Sequence, residues 1–100
     1  MDMRFLMRQA QQMQAKLQEA QQKLRVEGTA GGEAVRIVMN GAKEVQEVRI
    51  AKEACDPEDP SMLEDLILAA FKDAVLKADE GMKQVTGGMA GAAGIPGLGL

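Results

Sequence analysis

The sequence contains no histidine, tryptophan or tyrosine, and its only aromatic residues are Phe5 and Phe71. Without histidine the chain lacks the side chain most often used as a general base and metal ligand. With two isolated phenylalanines it has no aromatic platform on which nucleobases stack. A single cysteine, Cys55, excludes an internal disulfide and a cysteine-based zinc cluster, and fits a reducing compartment. Cys55 itself reads as a small loop residue without a redox task. Positive charge is also scarce: the net charge is −3, so any contact with nucleic acid has to come from a local patch. The longest clear apolar run, Leu66 to Phe71, is far too short to span a bilayer. The opening residues carry Asp2 and no continuous apolar stretch, so a secretory signal is not expected.

What remains is aliphatic. Hydrophobic residues make up 46% of the 100 residues, so one domain is expected, with a core of Met, Leu, Val, Ile and Ala. A core of this kind is thin per residue, and association with another chain would strengthen it.

From Met3 to Leu24 the apolar residues fall at Met3, Leu6, Ala10, Met13, Leu17, Ala20 and Leu24, in alternating steps of three and four. This is a heptad seam on a helix with no Gly or Pro to interrupt it. Such a helix is on the order of 35 Å long, more than a compact domain of this size needs. Part of it is expected to protrude or to lie along a partner. Residues Arg25 to Thr29 then read as a short strand, with Gly31 and Gly32 allowing a sharp turn. Ala34 to Met39 reads as a second strand, with Val35, Ile37 and Met39 on one face. Asn40-Gly41 is a hairpin signal, because both residues tolerate positive φ. The return strand, Lys43 to Ile50, places Val48 and Ile50 on one face and Val45 on the other, which requires either a bulge or partial cover on both faces.

The acidic stretch from Glu53 to Pro60 is a loop. Ser61 and Glu64 have capping-box spacing, and Pro60 or Asp59 also suits a helix start. A second helix is predicted from about Met62 to about Val85, with Leu63, Leu66, Ile67, Ala70, Ala74, Ala78, Met82 and Val85 along its apolar side. Thr86-Gly87-Gly88 is expected to end it, leaving residues 87–100 as a flexible Gly/Ala-rich tail behind a domain of residues 1–86. The fold class is therefore α+β: long N-terminal helix, three-stranded antiparallel meander, long C-terminal helix, tail.

These segments resemble the YbaB/EbfC family of nucleoid-associated proteins. The resemblance is carried by Leu6-Met7-Arg8-Gln9-Ala10-Gln11-Gln12-Met13-Gln14, by Val38-Met39-Asn40-Gly41, by Leu63-Glu64-Asp65-Leu66-Ile67 with Ala69-Ala70-Phe71-Lys72-Asp73-Ala74, and by Thr86-Gly87-Gly88-Met89. It covers essentially the whole chain. It implies a tweezer-like homodimer, cytoplasmic and associated with the nucleoid. The implied partner is double-stranded DNA, bound with weak or variable sequence preference. It also implies roles in nucleoid organisation, DNA protection and gene regulation. No enzymatic activity, cofactor, membrane or small-molecule substrate is implied. Ala51-Lys52 stands where family members often carry Asp-Pro, and the Gly-Ala tail replaces a Pro-Gly-Phe type ending.

Positive charge is concentrated at the start of the chain, where Arg4, Arg8, Lys16, Lys23 and Arg25 face only Asp2, Glu19 and Glu27 within residues 1–27. Arg4, Arg8, Gln12 and Lys16 follow i, i+4 steps and form a slowly spiralling polar ridge beside the seam of Met3, Leu6, Met13, Leu17 and Leu24. Arg offers a bidentate fork to phosphate oxygens, and a dimer would present the ridge twice. The same ridge also reads as a solvated face that keeps the chain soluble. Lys23 belongs with this set. Lys77 and Lys83 on the second helix are further candidates, but Asp73, Asp79 and Glu80 lie beside the second helix's lysines. The seam reads as dimer or domain core, and alternatively as a docking face of a helical protein-interaction adaptor that does not bind DNA. The acidic cluster of Asp56, Glu58 and Asp59 with Glu64 and Asp65 lacks a Gly-punctuated cation loop and reads as helix-start electrostatics.

Overall fold

The computed structural model describes residues 2–92, with side-chain surroundings through Gly88. Helix α1 (Met3–Lys23) leads into strands β1 (Arg25–Ala30), β2 (Val35–Asn40) and β3 (Val45–Ile50); a 3-10 turn at Lys52–Ala54 and helix α2 (Pro60–Ala92) follow. The sheet is an antiparallel meander in the order β1-β2-β3. The α+β order read from the sequence is the order observed.

Both helix starts are set by aspartates. Asp2 is extended and accepts the Arg4 N–H at 3.0 Å, satisfying one of the free donors of the first turn. At α2, Asp59 accepts both the Ser61 hydroxyl at 2.8 Å and the Met62 N–H at 3.4 Å, with Pro60 in the first helical position. Ser61 is thus inside the helix, and Glu64 and Asp65 fall beyond its first turn.

The end of α2 departs from expectation. The helix does not stop at Thr86-Gly87-Gly88 but runs through both glycines to Ala92. Extending an established helix needs no new nucleus, so two glycines at about 1 kcal/mol each do not break it. The Thr86 hydroxyl donates back to the Met82 carbonyl at 2.8 Å. The expected flexible tail therefore loses residues 87–92 to the helix, and its remainder lies outside the described residues.

The strand register resolves the placement of Val45. Val38 pairs with Glu47 but Met39 pairs with Val45, which leaves Gln46 as the extra residue of a bulge. Val45, Val48 and Ile50 consequently lie opposite Met39, Ile37 and Val35, all on one face. The hairpin before them also differs from expectation. Positive φ falls on Lys43 (65°) and on neither Asn40 nor Gly41. Asn40 accepts the Lys43 N–H at 3.0 Å and donates its own N–H to the Glu44 carbonyl at 3.1 Å, a three-residue loop closed by a left-handed residue. Gly31 (62°) and Gly32 (71°) take positive φ in the β1–β2 turn, as their type requires.

Val35, Ile37 and Met39 are buried under Ala70, Ala74 and Ala78, whose four-residue spacing gives α2 a smooth stripe. Gly28 in β1 lets that stripe approach to backbone contact. Asp73 fixes the helix along β1 by accepting the Thr29 N–H at 3.0 Å, and Lys77 donates to the Glu27 carbonyl at 3.0 Å. Helix α2 packs on β1 and β2 and leaves β3 bare. A helix 10–12 Å wide covers about two strands spaced about 4.8 Å apart, so a third strand needs another cover. Val45, Val48 and Ile50 are accordingly exposed, together with Leu68, Phe71 and Leu76 on α2. The described chain measures 68 × 24 × 16 Å, and α1 has no buried residue.

Candidate nucleic-acid interface

The long dimension of the molecule belongs to its two helices, and α1 is held only near its end. Leu24 packs on Gly81 of α2, and the Gly41 N–H of the β2–β3 loop donates to the Gln21 carbonyl at 2.8 Å. Gln21 is among the last four helical residues, whose carbonyls have no partner within the helix, so this loop caps α1 from outside. Toward the N-terminus the seam emerges from cover: Leu24 and Leu17 are half-buried, whereas Met13, Leu6 and Met3 are exposed, Met3 to 71%. The seam is therefore not the core of the domain over most of its length.

Arg4, Arg8, Gln12 and Lys16 lie along this projecting helix and are all exposed. Arg4, Arg8 and Lys16 make no ion pair among the described residues, so their charge is not neutralised within the chain. Other cations are engaged. Lys23 pairs with Glu19 at 2.7 Å, which raises the lysine and lowers the carboxyl from their ordinary values. Lys77 pairs with Asp73 at 3.0 Å while it pins α2 to β1. Lys43 meets Asp79 at 2.8 Å. On the sheet face away from α2, Arg36 is held by Glu33 and Glu27 and Arg49 by Glu47, so that face carries paired charge. Lys83 and Lys72 are exposed and unpaired among the described residues, but they stand on α2 apart from the ridge. The structure thus brings four of the seven sequence candidates, Arg4, Arg8, Gln12 and Lys16, into one open row and gives Lys23 and Lys77 intramolecular work.

A spacing of four residues sets successive ridge groups about 6 Å apart along the helix. Such a row suits a polyanion better than a small ligand, because groups spaced this way can each reach a separate phosphate. Among the described residues no cluster of acidic or sulfur ligands is arranged to hold a metal ion, and no helix is long and apolar enough to cross a membrane. Sequence reading missed the junction that holds α1. Its signal, Asn40 followed by Gly41 and Glu44, was visible but looked like an ordinary turn.

A compact sheet, two long helices and an open basic row, with no catalytic constellation among the described residues, make a surface suited to a polyanion. The chain matches the YbaB/EbfC DNA-binding family over residues 1–93 and belongs to that family. It is not an enzyme. It is 48% identical to a nucleoid-associated protein of Chloroflexus aurantiacus across 91% of this chain and 98% of that one. A nucleoid-associated protein of Ruminiclostridium cellulolyticum is 45% identical across 97% of this chain and 88% of its own length. The fold matches the crystal structure of an uncharacterized protein from Helicobacter pylori, with a TM-score of 0.73, 21% identity, and coverage of 89% of this chain and 97% of that one.

Proposed function

We propose that this chain acts as a homodimer that binds duplex DNA along its projecting α1 helices, in the nucleoid, with weak or variable sequence preference. The observation that carries this reading is the open row of Arg4, Arg8, Gln12 and Lys16 on α1, in a chain of a DNA-binding family. Phosphate contacts of this type give affinity and orientation without reading bases, so any preference comes from duplex shape. The three cations of Arg4, Arg8 and Lys16 are few for one protomer, and a second copy doubles them.

Dimerisation has its own support in the bare inner face of β3. Asp73 and Lys77 reach β1 from one flank of α2, whereas Leu68, Phe71 and Val75 lie on the flank turned toward β3. Val45, Val48 and Ile50 with Phe71 and Leu68 form the apolar surface that a second copy would cover. The unit proposed to function is a single domain that takes in α2 to its end. Nucleoid organisation, DNA protection and effects on transcription are the roles proposed for it.

The test is an electrophoretic shift on a generic duplex across a salt series, with the Arg4→Glu, Arg8→Glu double variant and sizing of both proteins. Salt-sensitive binding by the parent, abolished in an equally dimeric variant, supports the assigned surface. Absence of binding even at low salt would favour a protein-interaction adaptor that docks through the exposed Met3, Leu6 and Met13 seam.

A further inference from the structure

We propose that Asn40 is the positioning residue of the α1 arm, setting the direction in which the helix leaves the body and thereby placing Arg4 and Arg8 for contact with DNA. The inference rests on the α1 reading above and deepens it.

Asn40 is fully buried, the only buried polar side chain among the described residues. Every polar atom of its side chain is used. Its Oδ1 accepts the Ala42 and Glu44 N–H groups, each at 3.0 Å, which holds the loop in shape. Its Nδ2 donates to Glu44 Oε1 at 2.8 Å, and the same oxygen accepts Gln22 Nε2 of α1 at 3.3 Å. The loop so shaped presents the Gly41 N–H to the Gln21 carbonyl at 2.8 Å. A Cβ on Gly41 would crowd the Met82 side chain and the Gln21 Cα, so the missing side chain lets loop and helix approach this closely. One asparagine thus organises two separate polar ties to successive residues of α1, Gln21 through the backbone and Gln22 through Glu44. Leu24 on Gly81 supplies the apolar third point.

Three points fix a direction, and on the N-terminal side of the half-buried Leu17 every described residue of α1 is exposed. Arg4 lies 17 residues from Gln21, a lever of about 25 Å, so a swing of about 10° at the junction displaces it by about 4 Å. Charge-assisted hydrogen bonds to phosphate span only about 2.7–2.9 Å, so an arm displaced this far has to be brought back into line before they form. Loss of the clamp therefore removes preorganisation, while the same phosphate-contacting groups remain on the chain and engage once the arm is aligned.

The experiment measures the arm directly. One spin label goes on native Cys55, which is exposed, and one on Gln9→Cys in α1; labelled chain is diluted into a large excess of unlabelled chain so that each pair reports within one protomer. Asn40→Ala is expected to broaden the distance distribution, to weaken duplex binding roughly tenfold, and to leave the slope of log affinity against log salt unchanged. If Asn40→Ala fails to fold, Gln22→Ala decides: it removes an exposed amide from a helix, keeps the helix former, and cuts the Glu44 tie alone. An unmoved distance distribution overturns the proposal whatever the DNA result. So does an affinity loss accompanied by a shallower salt slope, because that marks fewer phosphates engaged. Failure of the parent chain to bind duplex at low salt would instead remove the DNA role of α1, and the distances would still decide whether Asn40 holds the helix.

Discussion

Gly28 of β1 and Ala74 of α2 meet at backbone contact: a methyl group on Gly28 would lie 2.7 Å from the Ala74 Cβ and would collide with the Ala70 carbonyl and the Ala74 nitrogen. The two nearest neighbours are main-chain atoms, which cannot rotate away. Gly28→Ala is therefore expected to cost at least about 3 kcal/mol, the upper end of overpacking penalties, measured as a lower urea midpoint or failure to fold. Gly87→Ala makes the opposite test. Nothing lies within 4 Å of a methyl group there, and the gain in helix propensity is up to about 1 kcal/mol. A fall in thermal stability on Gly87→Ala would contradict a helix that runs through residue 87.

The start of α2 separates two residues that look alike in sequence. Asp59→Ala removes the acceptor of the Met62 N–H and is expected to cost about 1 kcal/mol. Ser61→Ala leaves that acceptor in place and is expected to cost less. Chemical denaturation of the two variants side by side distinguishes them.

Acid stability follows from two carboxylates that tie elements together. The Asp73 carboxyl is held below its ordinary value by the Thr29 N–H and by Lys77, and that of Glu44 by the Asn40 and Gln22 amides. A carboxyl depressed in the folded state contributes stability above its unfolded value and loses it as pH falls through the folded one. Stability is expected to hold near neutral pH and to fall as pH drops below the ordinary carboxylate values of 3.8 for Asp73 and 4.5 for Glu44. Asp73→Asn keeps an acceptor for Thr29 but has no charge to lose. Its urea midpoint is expected to vary less with acid pH than that of the parent, and an equal dependence would exclude Asp73 as a cause.

Val48 is 49% exposed and Phe71 41% exposed although both are apolar. Val48→Glu and Phe71→Glu are expected to shift sedimentation toward the monomer while circular dichroism remains that of the parent. Dimers unaffected by both changes would place the interface elsewhere.

Cations that are already paired are expected to behave unlike those that are not. Each phosphate that a variant no longer neutralises lowers the magnitude of the salt slope by about 0.9. Arg4→Ala and Arg8→Ala are expected to lower it, whereas Lys23→Ala is expected to leave it near the parent value because Lys23 is engaged with Glu19. Fluorescence anisotropy across a salt series measures each slope.

Local chemistry decided much of this protein before any packing was considered. The heptad seam of α1, the alternation of Val35, Ile37 and Met39, and the alanine stripe of α2 are periodic, and period alone assigns helix or strand. The Gly31-Gly32 turn follows from residue type. What required tertiary structure concerns choices among nearly equal local options. Both Asp59 and Ser61 can cap a helix, and the chain path selects Asp59. Val45 can face either way, and pairing with Met39 forces the bulge at Gln46. Asn40-Gly41 looks like a turn that needs positive φ, yet its glycine serves the approach of Gln21 and its asparagine shapes the loop that caps α1. Lys77 and Arg4 are both cationic residues on a helix; Asp73, one turn before Lys77, is a local partner, but only the fold brings the Glu27 carbonyl to Lys77 and leaves Arg4 open to solvent. Sequence period determined the elements, because it is set within a few residues. Strand register, the external cap on α1 and the ties of Asp73 and Lys77 to β1 were decided by neighbours far along the chain.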